Sequence, residues 1–300
     1  MKYGDRLRRA VLEKGNPCLV GLDPHLELLP EEFGAIARSA ERSAAERADA
    51  IADFLCETIE LVASRAPAVK PQSAFFELLG APGTAAFERV VKAARRQDLL
   101  VIGDVKRGDI GSTSTAYARA FLEPAGDAEP CEAITINPYF GDEGVEPFLE
   151  ACERSEGGLY VLVRTSNPSS ARYQLHGTPP LCDLVAEDVQ RWGRELKGQH
   201  GMSSVGAVVG ATRREELARL RGLMPDAPLL LPGYGAQGAR ASDVVDAFVG
   251  DPRRALVNSS RGVLFAAHKG PHAGKPWRDA LLAALDDMIE DVVQALGARA

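Results

Sequence analysis

Leu99-Leu100-Val101-Ile102-Gly103-Asp104-Val105-Lys106-Arg107-Gly108-Asp109-Ile110 changes from apolar to charged in the middle of the chain. The apolar part reads as a buried strand over 99–104. Asp104 and Lys106 are two residues apart, a spacing that puts both side chains on one face of an extended chain. A carboxylate and an ammonium at the mouth of a buried strand are costly to desolvate unless they are paired or used. Asp109 adds a second carboxylate just past a turn at Gly108. A lysine among acids stays protonated, which is the form needed to hand a proton to a developing carbanion.

Working outward, the run at 99–104 is one of eight similar ones. The others are 18–21, 68–73, 133–137, 159–164, 205–210, 228–232 and 255–259. Each is nearly continuous in apolar residues, as expected of parallel strands covered on both faces. Helix-like amphipathic stretches lie between them at 47–64, 84–97, 112–122, 144–156, 181–197, 213–223 and 241–249, and a last one, about 277–296, closes the chain. Eight strands each followed by a helix predict an α/β fold of the (β/α)8 TIM-barrel type. The surplus length falls in an extra N-terminal helix within 1–14 and in two extended βα loops, 27–46 and 167–180. A doubly wound open sheet has the same alternation. The barrel is favoured because Asp23, Lys70, Asp104, Asn137, Ser166, Gly233 and Ser259 all fall at strand C-termini, where barrel enzymes gather their chemistry. No linker or composition shift divides the chain, so 1–300 is read as one domain.

Composition narrows the function. Apolar residues make up 45% and charged residues 26% of 300, ordinary values for a globular protein. No apolar run approaches the roughly 20 residues of a membrane span, and 1–14 is charged and amphipathic, unlike a signal peptide. The five cysteines are scattered without a CxxC pair, which suits reduced core thiols in a cytoplasmic protein. A net charge of −7 argues against nonspecific nucleic-acid binding but leaves room for a small anionic substrate in a local basic cleft.

The strand ends supply the chemistry. Asp23 follows the first strand, Lys70 ends the second ahead of Pro71, and the third delivers Asp104 and Lys106 with Asp109 beyond. Three acids and two lysines on consecutive strands exceed what a stabilising rim of salt bridges requires, although a single one of them would be explained that way. On the far side, Pro232-Gly233-Tyr234-Gly235-Ala236-Gln237-Gly238 follows strand seven, and Asn258-Ser259-Ser260-Arg261-Gly262 follows strand eight. Glycines let backbone N–H groups approach an oxyanion, Arg261 offers a planar fork of donors, and these two loops are the usual phosphate site of a barrel. Arg164 to Pro168, after strand five, carries polar groups that could read the edge of a ring. Phe75-Phe76 and Tyr139-Phe140 read as packing residues or pocket walls. His268 and His272 are separated by Gly270 and Pro271, so they do not share a helix face and no metal site is expected.

These residues resemble a known family. Asp104-Val105-Lys106-Arg107-Gly108-Asp109-Ile110-Gly111-Ser112-Thr113, Lys70-Pro71-Gln72-Ser73-Ala74-Phe75-Phe76-Glu77, Gly21-Leu22-Asp23-Pro24, and the Pro-Gly-x-Gly-Ala-Gln-Gly loop are similar to the orotidine 5'-phosphate decarboxylases, the longer bacterial subgroup above all. The resemblance runs from about residue 21 to 262. It implies conversion of orotidine 5'-monophosphate to uridine 5'-monophosphate and CO2 in pyrimidine biosynthesis, without cofactor or metal, in a homodimer with shared active sites. It assigns Lys106 as proton donor, Asp104 as the acid facing the substrate carboxylate, Lys70 as the lysine that orders the acids, and Asp109, with Ile110 and Thr113, as residues sent into the partner's site. Asp23 would bind the ribose and Ser166 the pyrimidine. Gln237 and Arg261 would bind the phosphate, with Pro232 and Gly235 in the closing loop. Two alternatives stand beside it: a magnesium-dependent sugar-phosphate decarboxylase or hexulose-phosphate synthase with the same Asp-x-Lys-x-x-Asp pattern, and a phosphate-ligand-binding barrel without catalysis.

Overall fold

A computed structural model describes residues 1–210, 214–235 and 240–297. Among them, eight parallel strands close into a barrel in sequence order: β1 (Cys18–Leu22), β2 (Ala68–Pro71), β3 (Leu100–Arg107), β4 (Ala133–Ile136), β5 (Gly158–Arg164), β6 (Val205–Val209), β7 (Leu229–Leu231) and β8 (Ala255–Ser259). Closure is direct, since β1 pairs with β8 through Cys18↔Val257 and Val20↔Ser259. That pairing rules out an open doubly wound sheet, which would leave β1 and β8 apart.

Two apolar layers follow from the alternation of each strand. Outward-facing Val20, Val69, Val101, Ile134 and Val161 pack under the helical ring. Inward-facing Leu19, Ala68, Leu100, Ile102, Tyr160, Val208, Leu230 and Leu256 fill the barrel. The N-terminal helix Tyr3–Lys14 plugs the bottom of this inner core with Tyr3, Leu7 and Val11, and the Tyr3 and Tyr160 hydroxyls hydrogen-bond at 2.9 Å. Packing at that end leaves the other mouth, at the strand C-termini, for chemistry.

The expected helices form at Ala44–Val62, Gly80–Arg96, Gly111–Leu122, Asp142–Ser155, Leu181–Trp192, Arg214–Leu223 and Trp277–Gly297. The first begins three residues earlier than its apolar periodicity suggests, because Ser43 and Glu46 form a reciprocal capping box. The two long loops carry short helices of their own, Glu31–Ala37 and Ala171–Gln174. β2 stops at Pro71, two residues before the expected end, and a one-turn helix Ser73–Glu77 follows. β3 runs three residues further than expected, to Arg107. All five cysteines are free, four of them buried, and burial pushes the Cys131 thiol up to about 12.

Candidate active site

Asp104 is the hub of the barrel mouth. Its Oδ2 accepts hydrogen bonds from Lys70 Nζ at 2.7 Å and Gln72 Nε2 at 3.0 Å. Its Oδ1 accepts from Lys106 Nζ at 2.5 Å and Thr135 Oγ1 at 2.9 Å. Four donors, two to each oxygen, satisfy a carboxylate that could not otherwise stay ionised in a dry position. The side chains of Lys70 and Asp104 are only 6% and 9% exposed, while that of Lys106 is 45% exposed and open to the mouth.

Electrostatics follow from this geometry. Burial pushes the Asp104 carboxyl up, but the Lys70 and Lys106 ammonium groups outweigh it and hold the carboxyl well below the usual carboxylate range. Burial pulls Lys70 down, yet the charges of Asp104 and Asp23 leave it above its ordinary value. Asp23 therefore belongs to the same field. Its Oδ1 is buried without a hydrogen-bond partner among the described residues, an acceptor free to take a ligand hydroxyl.

Lys106 reaches Asp104 by a route that a plain two-residue strand period does not anticipate. Gly103 lies opposite Ile134 and Arg107 opposite Ile136, so β3 bulges between them. Lys106 sits in the left-handed region at φ 46°, a conformation costing on the order of 1–3 kcal/mol that surrounding contacts must hold. Arg107 pins the far end of the bulge, donating to Val105 O at 2.8 Å and to Glu77, with its guanidinium over the rings of Tyr117 and Phe121.

The other predicted residues are distributed around this cluster. The Asp109 carboxylate accepts from the Ile110 N–H at 2.8 Å and forms no bond to Lys106 of its own chain. Ile110 and Thr113 are exposed at the start of the helix Gly111–Leu122. Ser166 is half-buried past β5, against Gly210. Arg164 is buried, pairs with Glu216 at 2.6 Å, and braces the following loop through Ser170 and Gln174. After β7, Gly233 and Gly235 have φ of 103° and 69°, which only glycine adopts freely, and the half-buried Pro232 precedes them. The Tyr234 hydroxyl between these glycines donates to Asp291 at 2.6 Å. Gln237 lies outside the described residues. Arg261 is exposed after β8 and unpaired among the described residues. Tyr139 and Phe140 do not pack into the core, which corrects that half of their reading: they are 84% and 50% exposed. Phe75 and Phe76 do pack, Phe76 being 1% exposed.

Two members of the hub were missed at the level of sequence. Gln72 is two residues beyond Lys70 and so on its face, and the bridge Gln72↔Asp104 puts it beside the carboxylate. Thr135 is the single hydroxyl in the apolar strand Ala133–Ile136, an oddity that could have flagged it. A cavity of about 600 Å³ also opens at the opposite end, beside Arg6, Arg95 and Glu132. There Arg95 pairs with Glu132 and Arg9 with Glu13, while the Arg6 Nε is buried without a partner among the described residues.

A closed (β/α)8 barrel carrying this charged array at its C-terminal mouth is a barrel enzyme. The chain belongs to the orotidine 5'-phosphate decarboxylase / HUMPS family, whose model matches residues 18–275. It is 41% identical to an orotidine 5'-phosphate decarboxylase of Rhodopirellula baltica over 97% of this chain and 99% of that one. It is 38% identical to one of Deinococcus radiodurans, over 95% and 96%. The structure of the Leishmania donovani OMP decarboxylase superposes with a TM-score of 0.76 at 29% identity, covering 99% of both chains.

Proposed function

We propose that this chain is an orotidine 5'-phosphate decarboxylase, releasing CO2 from orotidine 5'-monophosphate to give uridine 5'-monophosphate, with Lys106 as the proton donor. The observation that carries the assignment is the saturated Asp104 carboxylate, which fixes the Lys106 ammonium at 2.5 Å in the open mouth. When the bond from C6 to the carboxylate breaks, its electron pair stays on C6. The Lys106 N–H bond then breaks toward nitrogen and the proton goes to C6, leaving a neutral amine that solvent reprotonates. A fixed ammonium stabilises charge that exists only in the transition state, and so it lowers the barrier rather than merely binding substrate. In this reading no cofactor or metal takes part.

The remaining residues take roles around that step. Asp104 faces the leaving carboxylate. Lys70 orders the acids and, with the unpartnered Asp23 oxygen, meets the ribose hydroxyls. Ser166 reads the pyrimidine. Gln237, Arg261 and the loop with Pro232 and Gly235 hold the phosphate, whose binding energy is spent on closing the loop and excluding water. The enzyme is a homodimer in which Asp109, Ile110 and Thr113 complete the partner's site. Two observations support this: Asp109 does not reach its own Lys106, and exposed Ile110, Tyr139 and Phe140 surround it, with Phe140 and Asp109 both packed against Gly144. The chain acts as one domain over 1–300, in the cytoplasm. None of the helices among the described residues is long and apolar enough to cross a membrane.

Purified protein should consume orotidine 5'-monophosphate, followed by its absorbance, at the same rate with and without EDTA. Loss of activity with chelator, restored by magnesium, would instead place the chain with the metal-using sugar-phosphate enzymes.

A further inference from the structure

We propose that the Thr135 hydroxyl is a positioning group for the proton donor: it holds the β3 bulge that aims Lys106, without touching substrate. The inference rests on the decarboxylase reading above. Thr135 is 1% exposed in β4, with Ile134 and Ile136 on either side. The register places Gly103 opposite Ile134 and Arg107 opposite Ile136. Asp104, Val105 and Lys106 therefore all face this one residue.

A hydroxyl has one donor and two acceptor positions, and here all three are used. Thr135 Oγ1 donates to Asp104 Oδ1 at 2.9 Å and accepts from the backbone N–H groups of Val105 and Lys106, each at 3.0 Å. In a regular strand the N–H groups of two successive residues point to opposite neighbours; in the bulge both turn to β4 and meet this one hydroxyl. It thus holds the lysine backbone at φ 46° and, on the other side, the carboxylate oxygen against which the Lys106 ammonium rests. One atom fixes both ends of the Lys106 side chain. A valine has the same shape and keeps none of this, leaving two buried N–H groups unpaired. A serine keeps all three bonds.

The test compares Thr135→Val, Thr135→Ala and Thr135→Ser with the wild type, measuring kcat and KM for orotidine 5'-monophosphate and the thermal midpoint. Valine and alanine should lower kcat about 10- to 100-fold, with KM within about twofold because the phosphate and ribose contacts lie on other strands. Serine should return kcat to within about threefold of wild type. If the valine variant does not accumulate as folded protein, the alanine and serine variants give the same comparison. A folded valine or alanine variant with wild-type kcat overturns the proposal. So does a serine variant as slow as the alanine one, or a loss carried by KM alone. A wild-type protein inactive on orotidine 5'-monophosphate would remove the decarboxylase reading itself, whatever the order of the variants.

Discussion

Lys70 Nζ and Asp104 Oδ2 meet at 2.7 Å across β2 and β3, with both side chains almost fully withdrawn from water. Two opposite charges in so dry a place are of little net use to stability, because desolvation cancels most of their attraction. Their value lies in fixing the carboxylate, which in turn holds Lys106. Removing one partner is a different matter, since it leaves a buried charge alone.

Lys70→Met should therefore destabilise the protein by about 3–5 kcal/mol, measured by urea unfolding at neutral pH. A loss well under that figure would mean that solvent or Gln72 compensates Asp104.

The same pair sets how stability depends on pH. The Asp104 carboxyl is held below its ordinary value, so its contribution is present above the unfolded value of about 4 and fades as pH falls toward the native one. Lys70 is held above its ordinary value, so its contribution is present below about 10.4 and fades as pH rises through the native value. Thermal midpoints across the pH range should fall less steeply on the acid side for Asp104→Asn than for wild type, from a lower plateau. Parallel acid limbs would show that other carboxylates dominate.

Arg261 is exposed and unpaired among the described residues, so its guanidinium is available to a phosphate. Arg261→Ala should raise KM for orotidine 5'-monophosphate about 10- to 100-fold, the value of a charge-assisted hydrogen bond or two, and the penalty should vanish for orotidine, which lacks the phosphate. An unchanged KM would place the phosphate elsewhere.

If Asp109 completes the partner's site, Lys106→Ala protein and Asp109→Ala protein should each be inactive yet recover activity when mixed and allowed to exchange subunits. Random exchange makes half the dimers mixed, each with one intact site of two, so about a quarter of wild-type activity should return. Recovery of none would argue for sites contained within one chain.

The sequence displays the barrel plainly because each strand is buried on both faces, so each reads as a separate apolar run; even the two-residue shortening of β2 is signalled by Pro71. The charged members of the site are equally visible, since Asp23, Lys70, Asp104 and Lys106 stand at the ends of those runs. What the sequence hides is lateral. Gln72 and Thr135 matter only because β2 and β4 flank β3 in a particular register, and nothing within 68–72 or 133–136 alone states that register. The end of β3 is hidden for a related reason: Asp104 to Arg107 is too polar to resemble a strand, and it remains one only because Thr135, Asn137 and Glu77 take up its polar groups. Tyr139 and Phe140 read as packing residues or pocket walls because they are large and apolar, and nothing in 133–140 alone signals that they stand 84% and 50% exposed past the end of β4.

The proposed reaction turns on the Lys106 ammonium, held by Asp104, protonating C6. The most direct test is the rate of uridine 5'-monophosphate formation from orotidine 5'-monophosphate by wild type and Lys106→Ala, under saturating substrate, with circular dichroism and thermal midpoint confirming an intact barrel. Lys106 is half exposed and its removal leaves the Lys70–Asp104 pair in place, so the variant should fold. Its kcat should fall by at least about a thousandfold, within the range of a lost general acid and the electrostatic stabilisation it provides. A folded Lys106→Ala protein that turns over within about tenfold of wild type would contradict it.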